Sequence, residues 1–230
     1  MNYVVIILGV IAIILLYLLI RVLSATAVEL TASANLNDDI TPIDIKNSPT
    51  SSRYAYGLWI YANSWDMGST KTIFQRNENI KLYLDSSAPI LNCDITMSDG
   101  NVKTVEITDN FPLQKWVWII VSVDNQYVDS YLDGKLVKSG RAYIEDSDNG
   151  MVVPKIPPND TVQMKLGGTT RWDAYASKFK HWNGPVNPET AHSTYLEGNG
   201  QSSFNNFFAR YGLDLLIKKD DVEQTKLTIF

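Results

Sequence analysis

Residues Val4 to Ile20, VVIILGVIAIILLYLLI, form an unbroken apolar run, whereas beyond Arg53 the hydrophobic positions fall at a period of two. The run shows no polar face at any helical period, which sets it apart from an amphipathic surface helix. A helix from Tyr3 to Leu23 would cover about 30 Å at about 1.5 Å per residue, the thickness of a bilayer's hydrocarbon core. Arg21 stands on its C-terminal flank, where a long side chain reaches the headgroups. The pattern predicts a single N-terminal transmembrane helix over residues 1–23, a membrane anchor bounded by Val4, Ile20 and Arg21. A cleaved secretory signal is the competing reading, since Ala25-Thr26-Ala27 has the small-x-small form of a cleavage site. Only Met1-Asn2-Tyr3 precedes the run, without Lys or Arg, and the run is longer than the roughly 7 to 15 residues of a signal core, so retention is favoured.

Residues 24–53 read as a first strand, Val28-Glu29-Leu30-Thr31, followed by a polar connector from Asn35 to Ser52 rich in Asn, Asp, Ser and Pro. The remainder, 54–230, predicts one β domain. Tyr54, Tyr56, Leu58 and Ile60 share one face of a strand while Trp59 and Tyr61 take the other. Strand patterns recur at Thr72–Gln75, Ile80–Leu84, Ile90–Ile95, Val102–Ile107, Trp116–Val123, Tyr127–Leu132, Lys135–Lys138 and Thr161–Leu166. Trp116–Val123 is apolar on both alternate faces, which places it in the middle of a sandwich. Asp133-Gly134, between Leu132 and Lys135, is a hairpin signal of the type whose two central residues both need positive φ. One short helix is expected near Tyr195, with Asn187 as N-cap and Pro188 in the first turn. Leu213–Ile217 and Thr225–Phe230 predict closing strands that stitch the C-terminal segment into a sheet. The fold class is all-β, a two-sheet antiparallel sandwich behind a transmembrane helix.

Charge narrows the partners. Twenty Lys and Arg against 25 Asp and Glu give a net charge of -5. With Arg21 set aside the balance is 19 against 25, or -6. No basic field is available to hold nucleic acid, and an anionic glycan or membrane surface is poorly attracted. Arg21 alone sets the positive-inside balance and favours, weakly, a domain facing the cytosol. Cys93 is the sole cysteine, so no intrachain disulfide forms, as suits a reducing compartment.

Particular residues carry a family resemblance. Phe111-Pro112-Leu113-Gln114-Lys115-Trp116-Val117-Trp118-Ile119-Ile120-Val121-Ser122-Val123-Asp124 is followed by Tyr131-Leu132-Asp133-Gly134-Lys135-Leu136-Val137. Gly57-Leu58-Trp59-Ile60, Lys178-Phe179-Lys180-His181-Trp182-Asn183 and Val186-Asn187-Pro188-Glu189-Thr190 complete the pattern. Over about Tyr54 to Tyr195 the chain resembles the concanavalin A-like, laminin-G-like jelly-roll superfamily, which implies a jelly-roll β-sandwich and a lectin-like use of it. The anchor, the lone cysteine and the C-terminal LLIKKDDVEQTKLTIF are similar to lectin-like minor capsid or virion membrane proteins of large double-stranded DNA viruses. That second likeness implies a lipid bilayer and capsid proteins as partners, and a single-pass place in a virion or host-cell membrane.

Catalytic chemistry is hard to find. Glycosidases on this superfold carry an E-x-D-x-E strand that sets alternate carboxylates on one face, and the chain has none. His181 and His192 accompany no nucleophile turn and, with one cysteine, no metal-ligand spacing. No catalytic residue is assigned. Asp146, Asp148 and Asn149 form the one calcium candidate, a rim loop; the EF-hand glutamate position is occupied by Pro157, and a plain solvated turn is the alternative. No other cofactor is implied. Glycans are candidate partners through stacking on exposed rings, with Asp and Asn taking hydroxyls. Trp65, Trp172, Tyr175 and Trp182 lie outside the predicted core strands, and Trp172, Asp173, Tyr175 and Trp182 form the candidate sugar site. The leading expectation is a membrane-anchored, non-enzymatic structural or interaction module linking a protein shell to a membrane. A carbohydrate-binding lectin-like module is the alternative, and a degenerate glycoside hydrolase the third.

Overall fold

The computed structural model describes residues 8–16, 27–146, 150–200, 214–219 and 222–228. Two antiparallel sheets face one another. The first orders six strands as β1 (Ala27–Asn35), β13 (Ala174–Trp182), β2 (Arg53–Ala62), β7 (Trp116–Asp124), β8 (Tyr127–Leu132) and β9 (Lys135–Arg141). The second orders five as β12 (Met164–Leu166), β3 (Lys71–Arg76), β4 (Ile80–Leu84), β5 (Leu91–Thr96) and β6 (Val102–Thr108). Between them in the chain, β10 (Ile144–Asp146) and β11 (Gly150–Val152) pair as a small separate hairpin. The period of two sends Tyr54, Tyr56, Leu58 and Ile60 with Val117, Ile119, Val121 and Val123 inward, against Phe74, Leu82, Cys93 and Ile95 of the second sheet. The all-β two-sheet antiparallel sandwich is therefore as the pattern predicts.

At the N-terminal side residues 8–16 are helical (α1). Val4, Ile20 and Arg21, the limits of the expected anchor, lie outside the described residues. Among the described residues no helix is long and apolar enough to cross a membrane.

The other face of the six-stranded sheet carries a second apolar layer. Trp59, Trp118, Ile120, Tyr131 and Trp182 gather with Val186 and Ala191 under α2 (Pro188–Leu196). Asn187 caps this helix, its side-chain oxygen accepting from Thr190 N at 2.8 Å. The helix rests on the β8–β9 turn, where Asp133 and Gly134 have φ of 48° and 74°. A Cβ on Gly134 would lie 3.1 Å from His192 Cα, so both the turn and the helix above it require glycine there.

The boundary between connector and sandwich at residue 53 is displaced. β1 is an edge strand of the main sheet, pairing Ser33 with Ser177 and Asn35 with Tyr175. Leu36 and Ile45 of the connector are buried in the core, and Ile43 bridges Met164. Polar composition concealed these anchor points, two apolar side chains among many hydrophilic ones. Arg76, buried on β3, fastens the connector in place. Its Nη1 donates to Ser48 Oγ at 2.8 Å, while Nη2 donates to the carbonyls of Pro158 and Asn159 at 3.1 and 3.0 Å and Nε to that of Val162 at 3.0 Å. Only Met164–Leu166 of the expected Thr161–Leu166 strand is paired, because Asn159 and Asp160 are engaged in turn and connector contacts. At the C-terminal side β14 (Asp214–Lys219) and β15 (Val222–Thr228) pair with each other in a separate two-stranded sheet, rather than joining the sandwich sheets.

Candidate functional site

Side chains on the outer face of the six-stranded sheet follow the same alternation as the core. α2 and the turn before it cover one end of that face, and beyond them no other described residue covers the sheet. There, four residues fall in one register row. Asn35 of β1 pairs with Tyr175 of β13, Tyr175 with Tyr61 of β2, and Tyr61 with Trp116 of β7. Directly opposed residues share a face, so three aromatic rings stand side by side. The Tyr61 and Trp116 centroids are 5.7 Å apart with planes tilted by 54°. At about 4.8 Å between strands the row spans about 14 Å. It floors an open groove of about 960 Å³, flanked by Glu29, Ser33, Lys178 and the turn at Asn199-Gly200.

A β-bulge builds the groove's wall. The β13 register shifts between Ser177 and Lys180, and Lys178 adopts φ of 47°, a left-handed backbone that a side chain rarely takes. Local bonds hold it. Ser177 Oγ lies 2.9 Å from Ala32 O and 2.6 Å from Asn199 O, Lys178 Nζ donates to Glu197 O at 3.2 Å, and Lys180 Nζ pairs with Glu197 Oε2 at 2.5 Å. Bulges and strained backbone gather where a side chain must be re-aimed.

The candidate sugar residues do not assemble into one site. Trp172 is 4% exposed and packs in the main core, its indole N–H donating to Thr72 O at 2.9 Å. Trp182 is 3% exposed in the layer under α2. Neither ring offers a face to a ligand, which corrects the expectation for both. They lie in the layers because the alternation along β13 turns Trp182 to the α2 side of the sheet and the loop before β13 folds inward at Trp172. Asp173 is half-buried and takes a hydrogen bond from Asn63 Nδ2. Trp65 is partly buried, donating to Asp85 O at 3.3 Å. Tyr175, 44% exposed, is the member of that set in the groove. Its partners Tyr61 and Trp116 escaped sequence reasoning because each belongs to a strand whose other residues are core. The signal that finds them is cross-strand register, which one sequence does not display.

For the calcium candidate, Asp148 and Asn149 lie outside the described residues. Asp146 ends β10, its backbone paired with Gly150 of β11. Among the described residues no cluster of three metal-ligating side chains occurs. His192 is exposed on α2, whereas His181 is buried between the sheets and stacks on Tyr56 at 4.9 Å. Burial, reinforced by the Arg76 guanidinium, lowers its pKa to about 4 and keeps the imidazole neutral. It is not among the groove's lining residues and serves the core.

Residues 35–192 match the family described as the concanavalin A-like lectin/glucanases superfamily, Laminin_G_3. The chain belongs to this superfamily. No curated protein matches it. Among solved structures, the binding domain of Paraclostridial Mosquitocidal Protein 1 is similar at a TM-score of 0.50 and 11% identity, over 75% of this chain and 46% of that one. A single-site mutant of HCR/D is similar at 0.51 and 15% identity, over 76% and 45%. The botulinum neurotoxin serotype D ligand binding domain, in complex with N-acetylneuraminic acid, scores 0.49 at 17% identity, over 72% and 42%. This superfamily member thus spans less than half the length of each of those structures, and at these identities the likeness is one of fold.

Proposed function

We propose that this protein is a lectin-like, carbohydrate-binding module without catalytic activity, and that it binds sugars in the groove of Tyr175, Tyr61 and Trp116. The observation that carries this is the register row itself. Three rings on neighbouring strands present a continuous aromatic floor with polar side chains at its rim, the arrangement that stacks sugar faces and takes up hydroxyls. Membership of a lectin/glucanase superfamily favours the same chemistry. Hydrolysis is disfavoured: a glycosidase needs two carboxylates across the scissile bond. Glu29 is the single carboxylate among the groove's described lining residues. Glu197, nearby, is held by Lys180.

The apolar run Val4–Ile20 supports a tether to a bilayer, so that the groove works at a membrane surface. A role as a capsid-linking structural module rests on that run and the accompanying sequence texture. Neither the matched family nor the structures named above is a capsid protein. Detection in purified virions, without any glycan binding, would support that role instead.

A glycan array probed with the full-length chain tests the lectin reading. Signal is expected, and it falls on Tyr61→Ala and on Tyr175→Ala while the far-UV circular dichroism and the thermal transition stay native. An array without signal from folded protein overturns it.

A further inference from the structure

We infer that the groove's ligand is an uncharged oligosaccharide lying across the strands, from β1 toward β7, instead of a monosaccharide or an acidic glycan. This rests on the carbohydrate-binding reading above and adds the ligand's class and direction. Two independent features carry it. The first is length: the row Asn35, Tyr175, Tyr61, Trp116 runs perpendicular to the strands for about 14 Å, several times the width of one pyranose ring. A single ring would leave most of this floor uncovered, whereas a chain with successive faces turned to the sheet would cover all of it.

The second feature is charge. Glu29 and Lys178 are the charged residues among the groove's described lining, and they cancel. The pair behind them, Lys180 and Glu197, cancels as well. Lys178 Nζ donates to the Glu197 carbonyl at the C-terminal end of α2, where a cation is favoured, and so is already engaged within the protein. A carboxylate or sulfate on the ligand would meet Glu29, on a chain whose net charge is -5. Recognition of an acidic sugar wants a guanidinium fork or several unopposed cations, and the groove supplies neither.

Titration calorimetry on the full-length chain, in a detergent that carries no sugar headgroup, tests this with neutral oligosaccharides of increasing length and their sialylated or sulfated counterparts. Affinity is expected to climb with chain length and then level off once the row is covered. It should gain nothing from an acidic substituent. It should also hold steady from low to high salt, where the screening length falls from about 10 Å at 0.1 M to about 3 Å at 1 M. Tyr61→Ala, at the centre of the row, should weaken the longest neutral ligand about tenfold, the upper end of what one ring contact is worth. Preference for the acidic series, with affinity falling as salt rises, overturns the neutral assignment and leaves the lectin reading standing. Equal affinity for one sugar and for a long chain overturns the extended mode alone. A folded protein that binds neither series overturns both readings.

Discussion

Acid should destabilise this protein through one side chain, His181. The imidazole is 1% exposed, stacks on Tyr56 and has the Arg76 guanidinium nearby, so that its folded pKa is lowered from an ordinary 6.5 to about 4. Because folding depresses the pKa, the unfolded chain binds the proton first, and stability is lost as pH falls from 6.5 toward 4. At about 1.36 kcal/mol for each pH unit between those two values, the difference is worth about 3 kcal/mol when complete. The same relation gives a loss of about 1.4 kcal/mol by pH 5.5 and about 2.5 kcal/mol by pH 4.5. Carboxylates with lowered pKa values, Asp66 by Lys71, Glu78 by Lys155 and Asp85 by the Ser87 amide, lose their contribution only below their ordinary values of 3.8 to 4.5. The interval from pH 6.5 to 4.5 thus isolates the histidine. Guanidinium denaturation of the wild type and of His181→Phe, which keeps a ring against Tyr56, measures it. The variant should lack about one proton's worth of the slope over that interval. Parallel curves for the two proteins would refute the argument that a buried neutral imidazole governs the acid response.

Two tryptophan and tyrosine substitutions separate core from site. Trp172→Ala removes a buried ring and leaves Thr72 O without its donor, so a loss of about 3–5 kcal/mol is expected in thermal or chemical denaturation. Tyr175→Ala, at a ring 44% exposed, should change stability by no more than about 0.5 kcal/mol while weakening glycan binding up to about tenfold. Arg76→Met removes the donor to the Val162 carbonyl and one of the two donors to each of the Pro158 and Asn159 carbonyls, should cost about 3 kcal/mol, and should open the 36–52 connector to limited proteolysis. Gly57→Ala would set a Cβ 2.9 Å from Ile120 Cγ1 and 3.1 Å from Ile119 O, an overpacking worth about 1–3 kcal/mol by the same denaturation assay.

Much of the sandwich was legible in alternation alone. The doubly apolar Trp116–Val123 segment lies at the centre of the main sheet, with Trp118 and Ile120 under α2 and Val117 and Ile119 in the core. Asp133-Gly134 makes the turn its residue types require, and Asn187 caps the helix. These features are local: their physics is contained in a few consecutive residues. What stayed hidden is non-local. Nothing in Ala27–Asn35 announces that it pairs with Ala174–Trp182, and the polar stretch around Leu36 and Ile45 conceals how firmly it is docked. Trp172 illustrates the difference. A loop tryptophan beside Asp173 and Tyr175 has the composition of a sugar site, yet its backbone turns the ring into the core and Thr72 takes its N–H.

The groove follows from that distinction. A sheet covered on one face by another sheet and on the other by a short helix leaves uncovered whatever the helix does not reach. α2 extends over Trp59, whose ring stacks on Tyr195 at 5.5 Å, and ends at Leu196. Rings one register row farther on are of the same kind as those beneath the helix but less covered by the described residues, Tyr61 and Trp116 half-buried and Tyr175 exposed. Extending the helix over them would bury the part of each ring still exposed, a gain of about 1 kcal/mol per ring. The fold forgoes that stabilisation and holds a strained residue, Lys178, beside the opening. Among the described residues nothing else lies over the row, and a sugar stacked on these rings, as proposed above, would cover it.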